Sequence, residues 1–187
     1  GSGFWRTRYP AKGERPDDDI AFYQQVYFHK LGTDASTDTY VIGKDFPKIA
    51  EIELETSDDG RYVLANVFHG DGGDHAFYLA GMDGAFRQLS KFDDRIVKAE
   101  FGDGALYLLS RAGAPNGKIL RLSLPNGTLA TAKTVVPASQ VAIESFVPAG
   151  ARLYVEDIVG GPSELRVFTA AGASLGKVAL PPISSVG

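Results

Sequence analysis

Apolar and polar positions alternate in short runs between Ser57 and Leu89, and turn residues separate the runs. The apolar runs are Tyr62–Phe68, Ala76–Ala80 and Phe86–Leu89, and the turns are Asp59-Gly60, Gly70–Asp74 and Asp83-Gly84. Asp-Gly pairs supply the positive φ angles of a tight hairpin, and β-branched and aromatic residues favour extended backbone. The segment therefore predicts three strands joined by two hairpins.

The same pattern recurs along the whole chain. A glycine opens each copy, at Gly3, Gly60, Gly104 and Gly150, so the spacings are 57, 44 and 46 residues, the first lengthened by an insertion. A further strand-like run precedes each of the last three copies: Ile52–Glu55, Val97–Phe101 and Ala142–Phe146. Several short strands in a unit of about 40 to 50 residues are typical of propeller blades.

We predict an all-β fold, a β-propeller fragment of about four four-stranded antiparallel blades that form a single partial domain over residues 1–187. The blade repeats cover about 3–47, 48–91, 92–137 and 138–180. The first repeat lacks its preceding strand, and residues 181–187, including Ile183–Val186, are expected to begin the first strand of a further blade. We therefore expect the chain to be part of a larger toroid.

Composition and charge narrow the class of function. The 187 residues are 44% apolar and include 22 glycines and 10 prolines, which suits a β-rich chain with a sizeable core and many turns. The 19 basic and 23 acidic side chains give a net charge of −4 without a basic block, so neither nucleic acid nor an anionic membrane is an expected partner. No apolar run approaches the roughly 18 to 20 residues that span a bilayer, and no secretory signal pattern opens the chain. The chain has no cysteine, which excludes disulfides.

The loop His69–His75 holds two imidazoles and two carboxylates and is the best candidate for a metal site in the sequence. We nevertheless expect no metal, because the spacing of a calcium loop is absent and a hairpin loop explains Gly-Asp-Gly-Gly. The Gly-x-Ser-x-Gly nucleophile elbow does not occur, and no histidine is placed with a serine and an acid in a recognisable order. The loop Gly113–Lys118 has no helix behind it that would bind phosphate. We therefore expect no catalytic residue, no metal and no cofactor in this chain.

The chain resembles the propeller domain of the prolyl oligopeptidase, or prolyl endopeptidase, family of serine peptidases, in a bacterial-type version. The resemblance runs from Gly3 to Val186 and is carried by FWRTRYP, FYQQVYFHKLGT, DFPKIAEIEL, SDDGRYVL, GDGG, LYLLSRAGAPNGKILRLSL, GGPSELRVF and LGKVALPPISSV. It implies a seven-bladed propeller that caps an α/β-hydrolase domain carrying serine, aspartate and histidine, in an enzyme that cleaves short peptides after proline. This chain resembles about four consecutive blades of that cap and contains neither the hydrolase domain nor its motifs. By this resemblance we expect the chain alone to be inactive and soluble, in the bacterial cytoplasm or periplasm.

The resemblance also implies a gating role, in which a central tunnel and its loops exclude folded proteins and admit short peptides. The expected partners are the hydrolase domain of the parent chain and the peptide substrates that pass the tunnel. The innermost strands would line that tunnel, and their alternation places Glu53 and Glu55, Lys98 and Glu100, and Glu144 on common faces. We interpret these five residues as tunnel-lining, with ordinary solvent-facing positions as the alternative.

An isolated arc of blades exposes two apolar faces and strand edges, which is expected to drive self-assembly. Ile183–Val186 would supply the missing strand either in a closed four-bladed ring or in an eight-bladed ring of two chains. We favour the homodimer, because the inter-blade angle suits a larger ring. The alternative function is a free-standing or engineered propeller that serves as a binding or assembly module. Its expected ligand contacts lie in the loops Ala11–Ile20, His69–His75 and Arg111–Gly117, with His69, Asp71, His75 and Arg111 as candidate residues.

Overall fold

A computed structural model of the chain describes residues 2–181, which form fifteen β-strands connected by turns and short 3₁₀ helices. The strands are β1 (Gly3–Arg8), β2 (Gln25–Lys30), β3 (Thr39–Ile42), β4 (Ala50–Thr56), β5 (Val63–His69), β6 (His75–Ala80), β7 (Phe86–Gln88), β8 (Ile96–Gly102), β9 (Ala105–Ser110), β10 (Lys118–Ser123), β11 (Lys133–Val136), β12 (Ala142–Ala149), β13 (Arg152–Ile158), β14 (Ser163–Thr169) and β15 (Ser174–Val178). The 3₁₀ helices are Asp17–Asp19, Ala35–Thr37, Gly70–Gly72, Phe92–Asp94 and Leu129–Thr131. None of the helices in this described part is long and apolar enough to cross a membrane.

Strands that follow one another in the chain are neighbours in four antiparallel sheets. The sheets have the orders β1-β2-β3, β4-β5-β6-β7, β8-β9-β10-β11 and β12-β13-β14-β15, and are numbered 1 to 4 below. This arrangement confirms the prediction of an all-β partial propeller with four blades, the first of which has three strands. The strands of each sheet lie within one predicted repeat, whereas the limits of the repeats and the single domain stay predictions. The expected strand at Ile183–Val186 lies outside the described residues.

The chain divides into two compact units, Gly1–Asp93 and Asp94–Gly187. In the first unit, the alternation of β4 buries Ala50 and Ile52 and leaves Glu51, Glu53 and Glu55 exposed. The buried side chains of β4 belong to a cluster that sheets 1 and 2 share, with Val26, Ala65, Val67 and Ala76, against which Trp5, Ile42 and Phe86 pack.

In the second unit, one apolar cluster joins sheets 3 and 4. Its members are Ala105, Tyr107, Leu109, Ile119, Val135, Val136, Ile143, Phe146, Leu153, Val155 and Phe168. The hydroxyl of Tyr107 in β9 donates a hydrogen bond of 3.2 Å to the carbonyl oxygen of Ala170, which follows β14. Adjacent blades in this unit are therefore held by apolar packing, which dominates folding, and by a hydrogen bond that fixes their relative position.

Sheet 4 also contains a buried ion pair. Asp157 is 0% exposed, and its two carboxylate oxygens accept from Nε and Nη2 of Arg166 at 2.5 and 2.7 Å. A buried carboxylate needs such a partner, because desolvation of an unpaired charge is costly. The pair connects β13 to β14 on the face that also carries the buried Leu153 and Val155.

Candidate functional site

The first strand of each of sheets 2, 3 and 4 is an edge strand, and these edge strands carry the residues predicted to line the tunnel. Glu53 and Glu55 are exposed and share one face of β4. Glu51 is exposed on the same face and was missed by the sequence analysis, because the predicted strand began at Ile52 whereas β4 begins at Ala50. The row of three glutamates at alternate positions was the signal that would have found it.

The structure brings Lys98 and Glu100 together on β8. Nζ of Lys98 lies 3.1 Å from Oε1 of Glu100 and donates a hydrogen bond of 3.0 Å to Oγ of Ser145 on β12. The ammonium group also lies 5.6 Å from the centre of the Phe146 ring. Lys98 is therefore paired and connects the first strands of two blades.

Glu144 lies at an irregularity of β12, where the register with β13 shifts between Ile143 and Ser145. The alternation that the sequence analysis assumed for this strand is interrupted at that position. Glu144 is exposed, and the residue of β12 that Lys98 contacts is Ser145.

The loop between β5 and β6 places its two histidines on opposite faces of the sheet, because His75 pairs with Phe68, the neighbour of His69. His75 Nδ1 lies 3.0 Å from Oδ1 of Asn66, and burial lowers the pKa of its imidazole. The ring of His69 lies 5.2 Å from that of Phe92. Over residues 2–181, no three histidine, aspartate or glutamate side chains lie where they could hold a metal ion together.

Arg111, a candidate loop contact, donates to two backbone carbonyl groups. Its Nη1 lies 2.6 Å from the oxygen of Pro115, and its Nη2 lies 3.2 Å from the oxygen of Ile143. The guanidinium group therefore connects the loop Arg111–Gly117 to β12.

A pocket of about 290 Å³ lies in the first unit, where three segments distant in the chain converge. The long connection after β1 contributes Tyr9, Ala21 and Phe22. The segment that leads into β4 contributes Lys48, Ile49, Ala50 and Glu51, and the loop between β5 and β6 contributes Gly70 and Asp71. Of these residues, Asp71 was predicted from the sequence as a loop contact, whereas periodicity could not show that the three segments meet. We call this site the Glu51–Asp71 pocket.

The long connection after β1 is anchored beside this pocket. The backbone N–H of Tyr23 donates to the carbonyl oxygen of Lys48 at 2.9 Å, and Nζ of Lys48 lies 2.5 Å from Oδ1 of Asp19. The hydrogen bond that the Lys48 ammonium group donates to Asp19 raises the pKa of Lys48. Tyr23 holds a φ of 58°, an uncommon conformation for a residue with a side chain. These contacts fix the connection against the residues that enter β4.

The family described as "Prolyl oligopeptidase, N-terminal beta-propeller domain" matches residues 1–187. The chain is 29% identical over 123 residues to a prolyl endopeptidase of Elizabethkingia meningoseptica, an alignment that covers 64% of this chain and 17% of that protein. It is 26% identical over 115 residues to a prolyl endopeptidase of Elizabethkingia miricola, which covers 60% of this chain and 16% of that protein. The chain thus spans about one sixth of the length of these curated relatives.

Solved structures show the same fold. A structure from a study of two prolyl endopeptidases and their inter-domain dynamics has a TM-score of 0.82 at 24% identity, over 98% of this chain and 27% of that one. The apo form of prolyl oligopeptidase B from Galerina marginata has a TM-score of 0.69 at 18% identity, over 95% of this chain and 25% of that one. With the match of the whole sequence, the chain belongs to the family of the prolyl oligopeptidase N-terminal β-propeller domain.

Proposed function

We propose that this chain is the non-catalytic propeller portion of a prolyl oligopeptidase-type serine endopeptidase that cleaves short peptides after proline. The observation that carries the proposal is the family match over residues 1–187, together with a fold of consecutive antiparallel blades. Two matching curated relatives are prolyl endopeptidases. In this proposal the partners are the hydrolase domain of the parent protein and the peptides that reach it.

The proposed mechanism is exclusion by size, assisted by charge. Blades with buried apolar faces form a stiff wall, and the exposed side chains of β4, β8 and β12 would border the passage. The exposed carboxylates of Glu53 and Glu144 add negative charge to this border, whereas the carboxylate of Glu100 is close to the ammonium of Lys98. A passage of this charge would favour positively charged peptides and disfavour negatively charged ones.

The test uses the full-length parent enzyme with Glu53→Gln, Glu144→Gln and the double substitution. We expect kcat/KM for a basic short prolyl peptide to fall by about two- to fivefold at low salt and to change little in high salt, because exposed charges are screened. Asp58→Asn is the matched control, since Asp58 is an exposed carboxylate in the turn after β4. Unchanged rate and unchanged selectivity in the double variant would remove the charge component of the proposal.

The size component is tested on the same enzyme with a short prolyl peptide and a folded protein that contains the same sequence in a surface loop. We expect hydrolysis of the peptide and no cleavage of the folded protein. Comparable cleavage of both substrates would contradict a gating role for the propeller.

We propose further that the isolated chain self-assembles as a homodimer through the outer faces of sheets 1 and 4. Sheet 1 exposes Phe4 (47%) and Tyr40, and sheet 4 exposes Val147 (55%), Ile158 and Val178. Exposed apolar groups on flat sheet faces favour association. Size-exclusion chromatography with light scattering is expected to give twice the chain mass of 20.0 kDa, and a monomer at all concentrations would contradict the proposal.

A second candidate function is a free-standing binding or assembly module. The Glu51–Asp71 pocket favours it, because a pocket formed by loops on a stiff scaffold suits ligand binding without catalysis. Hydrolysis of prolyl peptides by the full-length gene product separates the two candidates, since a binding module alone gives no turnover.

A further inference from the structure

In the Glu51–Asp71 pocket, Gly70 lies close to the side chain of Ile49. Gly70 has a φ of 61°, and a Cβ atom at this position would lie 2.9 Å from Cδ1 of Ile49. The positive φ favours glycine at the start of the 3₁₀ helix Gly70–Gly72, which contacts the side chain of Ile49 just before β4. Asp71, the next residue, lines the same pocket as the aromatic residues Tyr9 and Phe22.

Two carboxylates of the pocket are uncompensated. Glu51 points outward because its neighbours Ala50 and Ile52 are buried, and Asp71 lies on the short helix. Within residues 2–181, neither carboxylate has a hydrogen-bond or ion-pair partner. Lys48 is the one basic residue of the lining, and its ammonium group is already engaged by Asp19 at 2.5 Å. The pocket therefore has an excess of negative charge.

The remaining walls are apolar and aromatic. Tyr9 and Ile49 are large and exposed, and Phe22 also lines the pocket. The Lys48 ammonium group lies 4.8 Å from the centre of the Phe22 ring, so a cation already packs on this aromatic wall. Carboxylates beside aromatic and aliphatic carbon suit an organic cation, whereas a hydrated divalent ion needs more oxygen ligands than two carboxylates provide.

We propose that the Glu51–Asp71 pocket binds a positively charged organic group, the guanidinium or ammonium group of a peptide, with Glu51 and Asp71 as its counter-charges. Aromatic and aliphatic walls contact the carbon atoms of the bound side chain. That a peptide carries the cation rests on the proposed function, whereas the charge preference of the pocket does not. In the parent enzyme the pocket selects peptides with a basic residue.

The test is a titration of the ¹⁵N-labelled chain, followed by amide chemical shifts, with N-acetyl-arginine amide and the neutral isostere N-acetyl-citrulline amide. We expect shifts at the pocket residues, a Kd on the order of millimolar for the arginine probe, and about tenfold weaker binding of the citrulline probe. Two further probes carry an ammonium group in place of the guanidinium group. N-acetyl-lysine amide carries it on the side chain, and alanine amide carries it at the chain terminus. Tighter binding of either one than of the citrulline probe also supports the proposal.

Variants assign the counter-charges. Glu51→Gln and Asp71→Asn are each expected to weaken the arginine probe by about two- to fivefold, and the double variant by about tenfold, whereas Asp58→Asn removes the same charge outside the pocket and has no effect. The amide spectrum of each variant verifies that it is folded. A citrulline probe that binds the unmodified chain as tightly as every cationic probe overturns the proposal, and so does a double variant that binds arginine as tightly as Asp58→Asn does. These measurements report probe binding and not peptide hydrolysis. A parent enzyme without prolyl peptidase activity would therefore contradict the proposed function but not the binding of cations in the pocket.

Discussion

Replacing Gly172 by alanine adds one methyl group between sheets 3 and 4 and so tests how closely these adjacent blades pack. Gly172 lies in the turn between β14 and β15 with a φ of 94°. A Cβ atom there would overlap the carbonyl oxygen of Val135 in β11 and would lie 2.9 Å from the carbonyl carbon and Cα of that residue. The substitution therefore adds backbone strain and also separates sheets 3 and 4.

The expected magnitude follows from these two effects. Positive φ costs a residue with a side chain about 1–2 kcal/mol, and forcing a methyl group into a packed contact costs about 1–3 kcal/mol. Gly172→Ala should therefore destabilise the chain by about 2–5 kcal/mol. Gly113→Ala is the matched control, because Gly113 has a φ of 63° but a Cβ atom there meets nothing within 4 Å. The control should cost only the strain, about 1–2 kcal/mol.

Urea unfolding at 25 °C, followed by far-ultraviolet circular dichroism, measures both variants. Hydrogen exchange with mass spectrometry locates the effect, which we expect in β11, β14 and β15. Circular dichroism is preferred to tryptophan fluorescence, because the single tryptophan, Trp5, lies in the first unit whereas both substitutions lie in the second. Equal destabilisation by Gly172→Ala and Gly113→Ala would refute the close contact between sheets 3 and 4.

Substitutions of Asp157 and Asp38 test the buried carboxylates, with Glu164→Gln as an exposed control. Asp157→Ala leaves the guanidinium of Arg166 without its bidentate partner and should cost about 3–5 kcal/mol in urea unfolding. Glu164→Gln, in an exposed ion pair of the same sheet, should cost at most about 1 kcal/mol, and similar values for the two would contradict the burial of Asp157. The hydrogen bond from His29, followed by that from Arg6, lowers the pKa of Asp38 below its usual 3.8. The ionised carboxylate of Asp38 therefore stabilises the fold fully above pH 3.8, and this stabilisation disappears as the pH falls through the lowered pKa. The Tm difference between the unmodified chain and Asp38→Asn should therefore shrink as the pH falls from 6 to values below 3.8, and a constant difference would show that the carboxylate charge does not stabilise the fold.

Turn chemistry and alternation predicted the strands well, because both are local. The Asp83-Gly84 turn precedes β7, and the predicted run Val97–Phe101 lies inside β8. Glu51 was left outside β4 because strand ends depend on ladder hydrogen bonds that sequence periodicity does not fix. Glu144 was placed by strict alternation, which the register shift in β12 interrupts.

The candidate site was less accessible to sequence reasoning, since it depends on contacts between distant segments. The charged loop Ala11–Ile20 gave no sign that the connection containing it meets the residues before β4 and the loop after β5. Arg111 was predicted as a loop contact, whereas its guanidinium group donates to backbone carbonyl groups that only the folded chain brings near. Periodicity reports which face of a strand a side chain occupies, but not which loops converge.

The most direct test of the account is hydrolysis of a chromogenic peptide with a proline before the scissile bond, measured for this chain and for the full-length gene product at equal concentration. We expect no turnover above background with the chain, and turnover with the full-length protein that a serine-directed inhibitor abolishes. Turnover by the chain itself, or a full-length protein that leaves the prolyl peptide intact, would contradict the assignment of this propeller to a prolyl peptidase.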